Sequence, residues 1–209
     1  MQIPVIFILL KGGNKSLVET WIIVFLYSLK KKYNIKLIFK EWLFYPPLIM
    51  LGVYLIAEVM IFNDNYWITQ YGTLIKQVTL FSYCGLVYKH QLYFSMDINK
   101  SELIRFITSP FIIAIGCLLI GYYCNFVAIS SNFGHMPVFP SNTYFTGYTD
   151  VNTFTDSSFY VLGDHTSKAI PLCDIYDIYY SNLSLGDLFV RCYVFILLLN
   201  AIKRIKIKK

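Results

Sequence analysis

Residues 106–130 carry no charged side chain and are rich in Ile, Leu, Phe and Gly. A helix crosses the hydrocarbon of a bilayer in about 20 residues. The run is long enough to do so. It gives way to Asn132, Gly134 and Pro137. Gly134 permits the left-handed backbone that ends a helix, and Pro137 cannot continue one. Asn125 and Asn132 flank the exit. Residues 132–138 therefore read as a helix stop followed by an extended strand lying on the bundle. Everything after the stop, as far as residue 186, is polar and without helical period.

Composition supports lipid as the solvent. The chain of 209 residues is 56% hydrophobic, 18% aromatic and only 14% charged, with a mean hydropathy of +0.54. Soluble domains hold about 25% charged residues, and a water-soluble globule of this length would lack polar surface. A net charge of +6 would suggest nucleic acid in a soluble protein. Here the cations flank apolar runs, where the positive-inside effect accounts for them. The expected partners are the bilayer and a possible second membrane protein, with no nucleic acid. Cys84, Cys117, Cys124, Cys173 and Cys192 form no CxxC pair, so neither zinc nor redox chemistry is signalled.

Four further runs accompany residues 106–130. Residues 1–10 are apolar, Lys11-Gly12-Gly13 interrupts them, and 17–29 are apolar except for Glu19. Two readings remain open. Residues 1–29 form one helix kinked at the glycines, or the first ten lie in the interface and a span begins at Leu17. Residues 42–62 are the next span, with Pro46 and Pro47 in its first turns, where missing N–H groups cost least. Glu58 lies near its far end. After the polar turn 63–65, residues 66–87 form a third span with Lys76 at its middle. An ionisable group at that depth faces other helices or water. Residues 187–202 are apolar apart from Asp187, Arg191 and Asn200. They are short for a span and need part of the basic tail, its side chains snorkelling to the surface.

Charge sets the orientation. Segment 131–186 holds Asp150, Asp156, Asp164, Asp174 and Asp177 against Lys168 alone. Lys30, Lys31, Lys32, Lys36 and Lys40 cluster before the second span, and Lys203, Arg204, Lys206, Lys208 and Lys209 end the chain. Cations mark the cytoplasmic side. Five spans place cluster 30–40, loop 89–105 and the C-terminus inside. They place the N-terminus, turn 63–65 and segment 131–186 outside. The fold class expected is an all-α integral membrane protein of the cell membrane. It has about five transmembrane helices and an ordered extracytoplasmic segment between the last two. Residues 1–130 hold four helices, 131–186 the outer segment, and 187–209 the last helix and tail, as one structural unit.

Chemistry-bearing residues gather at the ends of apolar runs. His135 follows the helix stop and reads either as a pH-sensitive group or as a polar residue facing water. Leu162-Gly163-Asp164 forms a second motif. Ser184-Leu185-Gly186-Asp187 opens the last run, where Ser184 as N-cap with Asp187 three residues on makes a capping box. Asp187 also suits the positive helix end. A sharper reading gathers His135, Asp164 and Asp187 at the outer mouth of the bundle, as a cation site or a proton-transfer group. No Gly-rich phosphate loop, HExxH or GxSxG occurs, and no cofactor is expected.

These motifs resemble a family of bacterial multi-pass membrane proteins of unknown function, common in clostridia and related Gram-positive bacteria. Its hallmark is Asn-Gly-Gly-Arg-Met-Pro-Val after a helix, then Leu-Gly-Asp with a following Ile-Pro, then Ser-x-Gly-Asp opening the final helix. The matching positions are Asn132, Gly134, Met136, Pro137 and Val138; Leu162, Gly163, Asp164, Ile170 and Pro171; and Ser184, Gly186 and Asp187. Lys11-Gly12-Gly13 resembles the family's early basic Gly-Gly. Phe133 stands where the family has a second glycine, and His135 where it has arginine. About five extra residues separate Asp164 from Ile170. The resemblance implies fold and membrane placement, and no activity.

Three functional classes follow. The first is a non-enzymatic accessory, sensory or protective membrane component, from the short chain and the lack of a catalytic motif. The second is a small transporter or channel using Glu58, Lys76 and Arg191. The third is an intramembrane enzyme or metal site using His135, Asp164 and Asp187.

Overall fold

The computed structural model describes residues 16–33, 35–62, 71–86, 109–145, 160–178 and 182–207. They are mostly helical. The kink at Gly12-Gly13, turn 63–65 and loop 89–105 lie outside the described residues. These divide into two compact units, residues 117–190 in one and residues 16–116 with 191–207 in the other.

The second unit begins with α1, Ser16–Lys30. Glu19 in its first turn and Lys30 in its last complement the helix dipole. Lys32 then turns left-handed at φ 56°, and the Tyr33 N–H closes onto the Ser28 carbonyl at 2.9 Å. That six-to-one bond is a Schellman stop. Two short 3₁₀ turns, Ile35–Lys40 and Trp42–Phe44, lead into α2, Tyr45–Phe62. Pro46 and Pro47 lie in the first turn of α2, as expected. Gly72–Ser82 forms α3.

Trp21, Tyr83 and Tyr193 are buried together as a core. The Trp21 indole N–H donates to the Tyr83 hydroxyl at 2.6 Å, and Tyr193 donates to the Leu80 carbonyl at 2.9 Å. The Tyr83 and Tyr193 rings meet edge to face, 6.5 Å between centroids. Buried polar aromatic tips are thereby satisfied.

Among the described residues, two helices are long and apolar enough to cross a membrane. These are α4, Pro110–Ser131, and the stretch Leu185–Lys203 of α5, which spans Leu185–Ile207. The third span expected over 66–87 appears, among the described residues, as α3 of 11 residues. At 1.5 Å per residue it covers about 17 Å, too little by itself to cross about 30 Å of hydrocarbon. Helix α1 has 15 residues and starts at Ser16. Residues Trp42–Ala57 form a further, shorter apolar helix. The last helix is longer than the expected 187–202. It starts at Leu185, because Ser184 caps it, and it continues into the basic tail.

In the first unit, α4 ends in a second Schellman stop. The Gly134 N–H reaches the Ile129 carbonyl at 3.0 Å. Phe133, and not Gly134 alone, takes the left-handed conformation, at φ 56° against 88° for Gly134. Strand β1, Met136–Val138, follows as expected. It pairs in parallel with β2, Tyr160–Leu162, and bridges to Asp174 on its other edge. Pro137 has no N–H to lose, and its carbonyl accepts from Asp174 N–H at 3.1 Å. A single helical turn, Asn142–Phe145, and a 3₁₀ turn, Ile170–Leu172, interrupt the polar segment. Strands β3, Tyr176–Asp177, and β4, Asn182–Leu183, pair antiparallel before α5. Met136 and Cys173 pack on Ala128 of α4 as a small core.

Candidate functional site

Most of the motif residues of the first unit serve as hydrogen-bonded clasps. The Asn132 amide donates to the Ala128 carbonyl at 2.7 Å, capping the end of α4. It also donates to the Lys168 carbonyl and accepts from the Lys168 N–H, both at 2.8 Å. One side chain thus imitates a strand partner and ties loop 164–168 to the helix end. Lys168 places its ammonium 6.0 Å from the centre of the exposed Phe133 ring.

Asp164 organises that loop. Its Oδ1 accepts from the Thr166 N–H at 2.8 Å, the Thr166 hydroxyl at 2.7 Å and the Ser167 N–H at 3.2 Å. The Thr166 hydroxyl, then the Thr166 N–H, hold the carboxyl below its ordinary value, with smaller help from the His165 charge and the Ser167 N–H. Gly163 is required beside it, because a Cβ there would stand 2.5 Å from the Phe139 ring.

The capping box at 184–187 is present. The Asp187 N–H donates to Ser184 Oγ at 3.0 Å, and the Ser184 N–H reaches Asp187 Oδ2 at 3.5 Å. Asn125 of α4 completes it. Its amide oxygen accepts from the Ser184 hydroxyl at 2.7 Å, and its NH₂ donates to Asp187 Oδ1 at 3.4 Å. Here the two helix backbones touch. A Cβ on Gly121 would lie 2.7 Å from the Gly186 carbonyl, and one on Gly186 would collide with the Asn125 amide and the Gly121 carbonyl. The spacing of Gly116 and Gly121 hides this, since Gly121 pairs with a glycine 65 residues away and not with one on its own helix.

His135 is half-buried just before β1, its N–H donating to the Asn132 carbonyl at 3.1 Å. Pro171 lies in the 3₁₀ turn. Among the described residues, no three His, Cys, Asp or Glu side chains are gathered so as to hold a metal ion. None of the five cysteines forms a disulfide. Burial, and then the Asp174 charge, push the Cys173 thiol up.

One comparison identifies the family of the chain. Residues 34–199 match the model of a family of unknown function, DUF5317. The chain belongs to that family. No curated protein and no solved structure matches it. The matched stretch holds every clasp above and Arg191, and α1 precedes it.

Sequence reasoning passed over two carboxylates. Asp177 registers there only as a charge. Its Oδ2 accepts from the Ser141 N–H at 2.6 Å, the Thr143 N–H at 2.9 Å and the Thr143 hydroxyl at 3.0 Å, capping the turn Asn142–Phe145. Glu19 registers only as an interruption in an apolar run. In the second unit its Oε2 meets Arg191 Nη1 at 2.9 Å, with both side chains largely buried. Its other oxygen, and Arg191 Nε and Nη2, are buried without a hydrogen-bond partner among the described residues. Glu19, Thr20, Ile23, Arg191, Cys192 and Phe195 line an open cavity of about 180 Å³. Two opposite charges inside apolar runs were the signal that could have found this pair. Lys76 is half-buried on α3 and has interactions of its own. The side chain of Glu58 lies outside the described residues.

Proposed function

We propose that this chain is a multi-pass protein of the cell membrane that works as a non-enzymatic accessory, sensory or protective component. It crosses the bilayer about five times, with residues 131–186 outside and the basic tail in the cytoplasm. The observation that carries this reading is the outward face of α4. The 18-residue apolar window of that helix is only 17% buried, with Leu119 and Phe126 about two-thirds exposed. The core helix of a soluble protein would be mostly buried, and water does not tolerate an apolar surface of this extent. Leu26 of α1 and Ile49 of α2 are exposed in the same way.

The non-enzymatic part rests on the carboxylates. Asp164 and Asp187 accept hydrogen bonds that shape a loop and a helix start. An enzymatic or metal-binding reading through His135, Asp164 and Asp187 would draw on carboxylates already partly engaged in these hydrogen bonds. A second reading, a small transporter, gains support from the buried charge pair of Arg191, with Glu58 and Lys76 as further pathway groups.

Topology is tested by labelling single cysteines, in a cysteine-free background, with a membrane-impermeant maleimide on intact cells. Phe145→Cys should react and Lys36→Cys should not. The reverse pattern would overturn the orientation. Release of the chain from membranes by alkaline carbonate would overturn membrane insertion itself.

A further inference from the structure

The Glu19–Arg191 pair leaves an unusual remainder. Arg191 spends Nη1 on Glu19, so its Nε–Nη2 edge remains unbonded. That edge is the two-donor fork that grips a carboxylate or phosphate with parallel hydrogen bonds. Glu19 likewise keeps one oxygen unbonded. A buried charged donor without an acceptor is costly, and so is a buried carboxylate oxygen without a donor. The remainder is therefore a pair of donors and an acceptor, with no net charge between them.

A ligand that completes it must present two acceptor oxygens and an ammonium, and must itself be close to neutral. A lone anion would leave one negative charge in excess, and a lone cation one positive. The cavity beside the pair, about 180 Å³ and open on one side, has room for a small polar molecule or a headgroup. Ile23 and Phe195 on its wall suit a short methylene spacer. We infer that this cavity binds a small zwitterion, an oxyacid anion joined to a primary ammonium. The oxyanion lies on the Arg191 edge and the ammonium on Glu19, with the guanidinium turning toward the space it already borders. Two sources share that chemistry, a phosphoethanolamine lipid headgroup and a free amino acid. The lipid source rests on the membrane reading above, and the amino-acid source does not.

The test uses the full chain, purified in detergent and stripped of lipid, with melting temperature and native mass spectrometry as readouts. Phosphatidylethanolamine, phosphatidylcholine, phosphatidylglycerol and glycine are added separately. A selective upward shift with phosphatidylethanolamine identifies the headgroup, and a selective shift with glycine the amino acid. The choline lipid lacks ammonium N–H donors and the glycerol lipid lacks the cation, so both should act weakly. Arg191→Lys keeps the charge but loses the fork, and should weaken binding of the selected ligand about tenfold. Ile23→Trp fills the cavity while leaving both residues of the ion pair in the chain, and should abolish binding while the fold persists. Equal shifts from all three lipids with none from glycine would overturn the proposal, as would undiminished binding by folded Ile23→Trp. Carbonate extraction of the cell membranes before solubilisation reports separately on membrane insertion.

Discussion

Polar groups are settled differently in the two units. Between residues 117 and 190, Asn132, Asp164, Asp177, Ser184 and Asn125 each make two or more hydrogen bonds, several to backbone groups that an irregular chain would otherwise leave orphaned. Among residues 16–116 and 191–207 the backbone is mostly helical and needs little such help. There the large side chains decide the packing, and the Glu19–Arg191 ion pair retains unbonded atoms. The irregular chain commits most of its polar side chains to holding itself together. The helical unit keeps unbonded atoms on an ion pair that lines a cavity.

Glycine substitutions should separate the units most sharply. Gly186→Ala drives a methyl group into the Asn125 amide and the Gly121 backbone, and should cost about 3 kcal/mol or more in thermal unfolding. Gly52→Ala in α2 meets nothing within 4 Å and should stabilise by up to about 1 kcal/mol. Equal effects would dissolve the contrast.

The ion pair comes next. Arg191→Met leaves the Glu19 charge largely buried and should destabilise by about 2–3 kcal/mol, whereas Glu19→Leu with Arg191→Met together should be near neutral. A double-mutant cycle read by chemical unfolding checks this. Asn132→Ala removes three short bonds and should cost about 2 kcal/mol, with proteolysis beginning within 164–168. Phe133→Gly should have a smaller effect of opposite sign. It relieves a left-handed phenylalanine and should add about 1 kcal/mol, less the contribution of its contact with Lys168.

The smallest effect is acid-dependent and local. Asp164 has a depressed carboxyl pKa, so its contribution to folding is present above the ordinary value of 3.8 and is lost as pH falls through the folded value. Amide exchange of Thr166 and Ser167 should accelerate there, and Asp164→Asn should remove that pH dependence.

Local signals were legible. Ser184 and Asp187 announced a capping box by their spacing, and Pro46-Pro47 announced a first turn. The stop after α4 was visible too, though Phe133 shares with Gly134 the conformation assigned to the glycine. The site demands positive φ at Phe133, a conformation that glycine adopts at less cost. Of the third span, the described residues 71–86 hold α3 of 11 residues, and apolar content alone did not announce the bounds of that helix. The β1–β2 pairing, the Asp177 cap and the lock between Gly121 and Gly186 join residues distant in sequence, and no periodicity records them.

The sequence by itself determined the apolar length of α4 and the stop and cap signals around α4 and α5. Both follow from transfer free energies and from backbone rules that act within a few residues. Only the tertiary structure decided which carboxylate meets which donor. That choice turns on close approach between segments far apart along the chain, so Asp164 became a loop organiser and Glu19 the partner of Arg191.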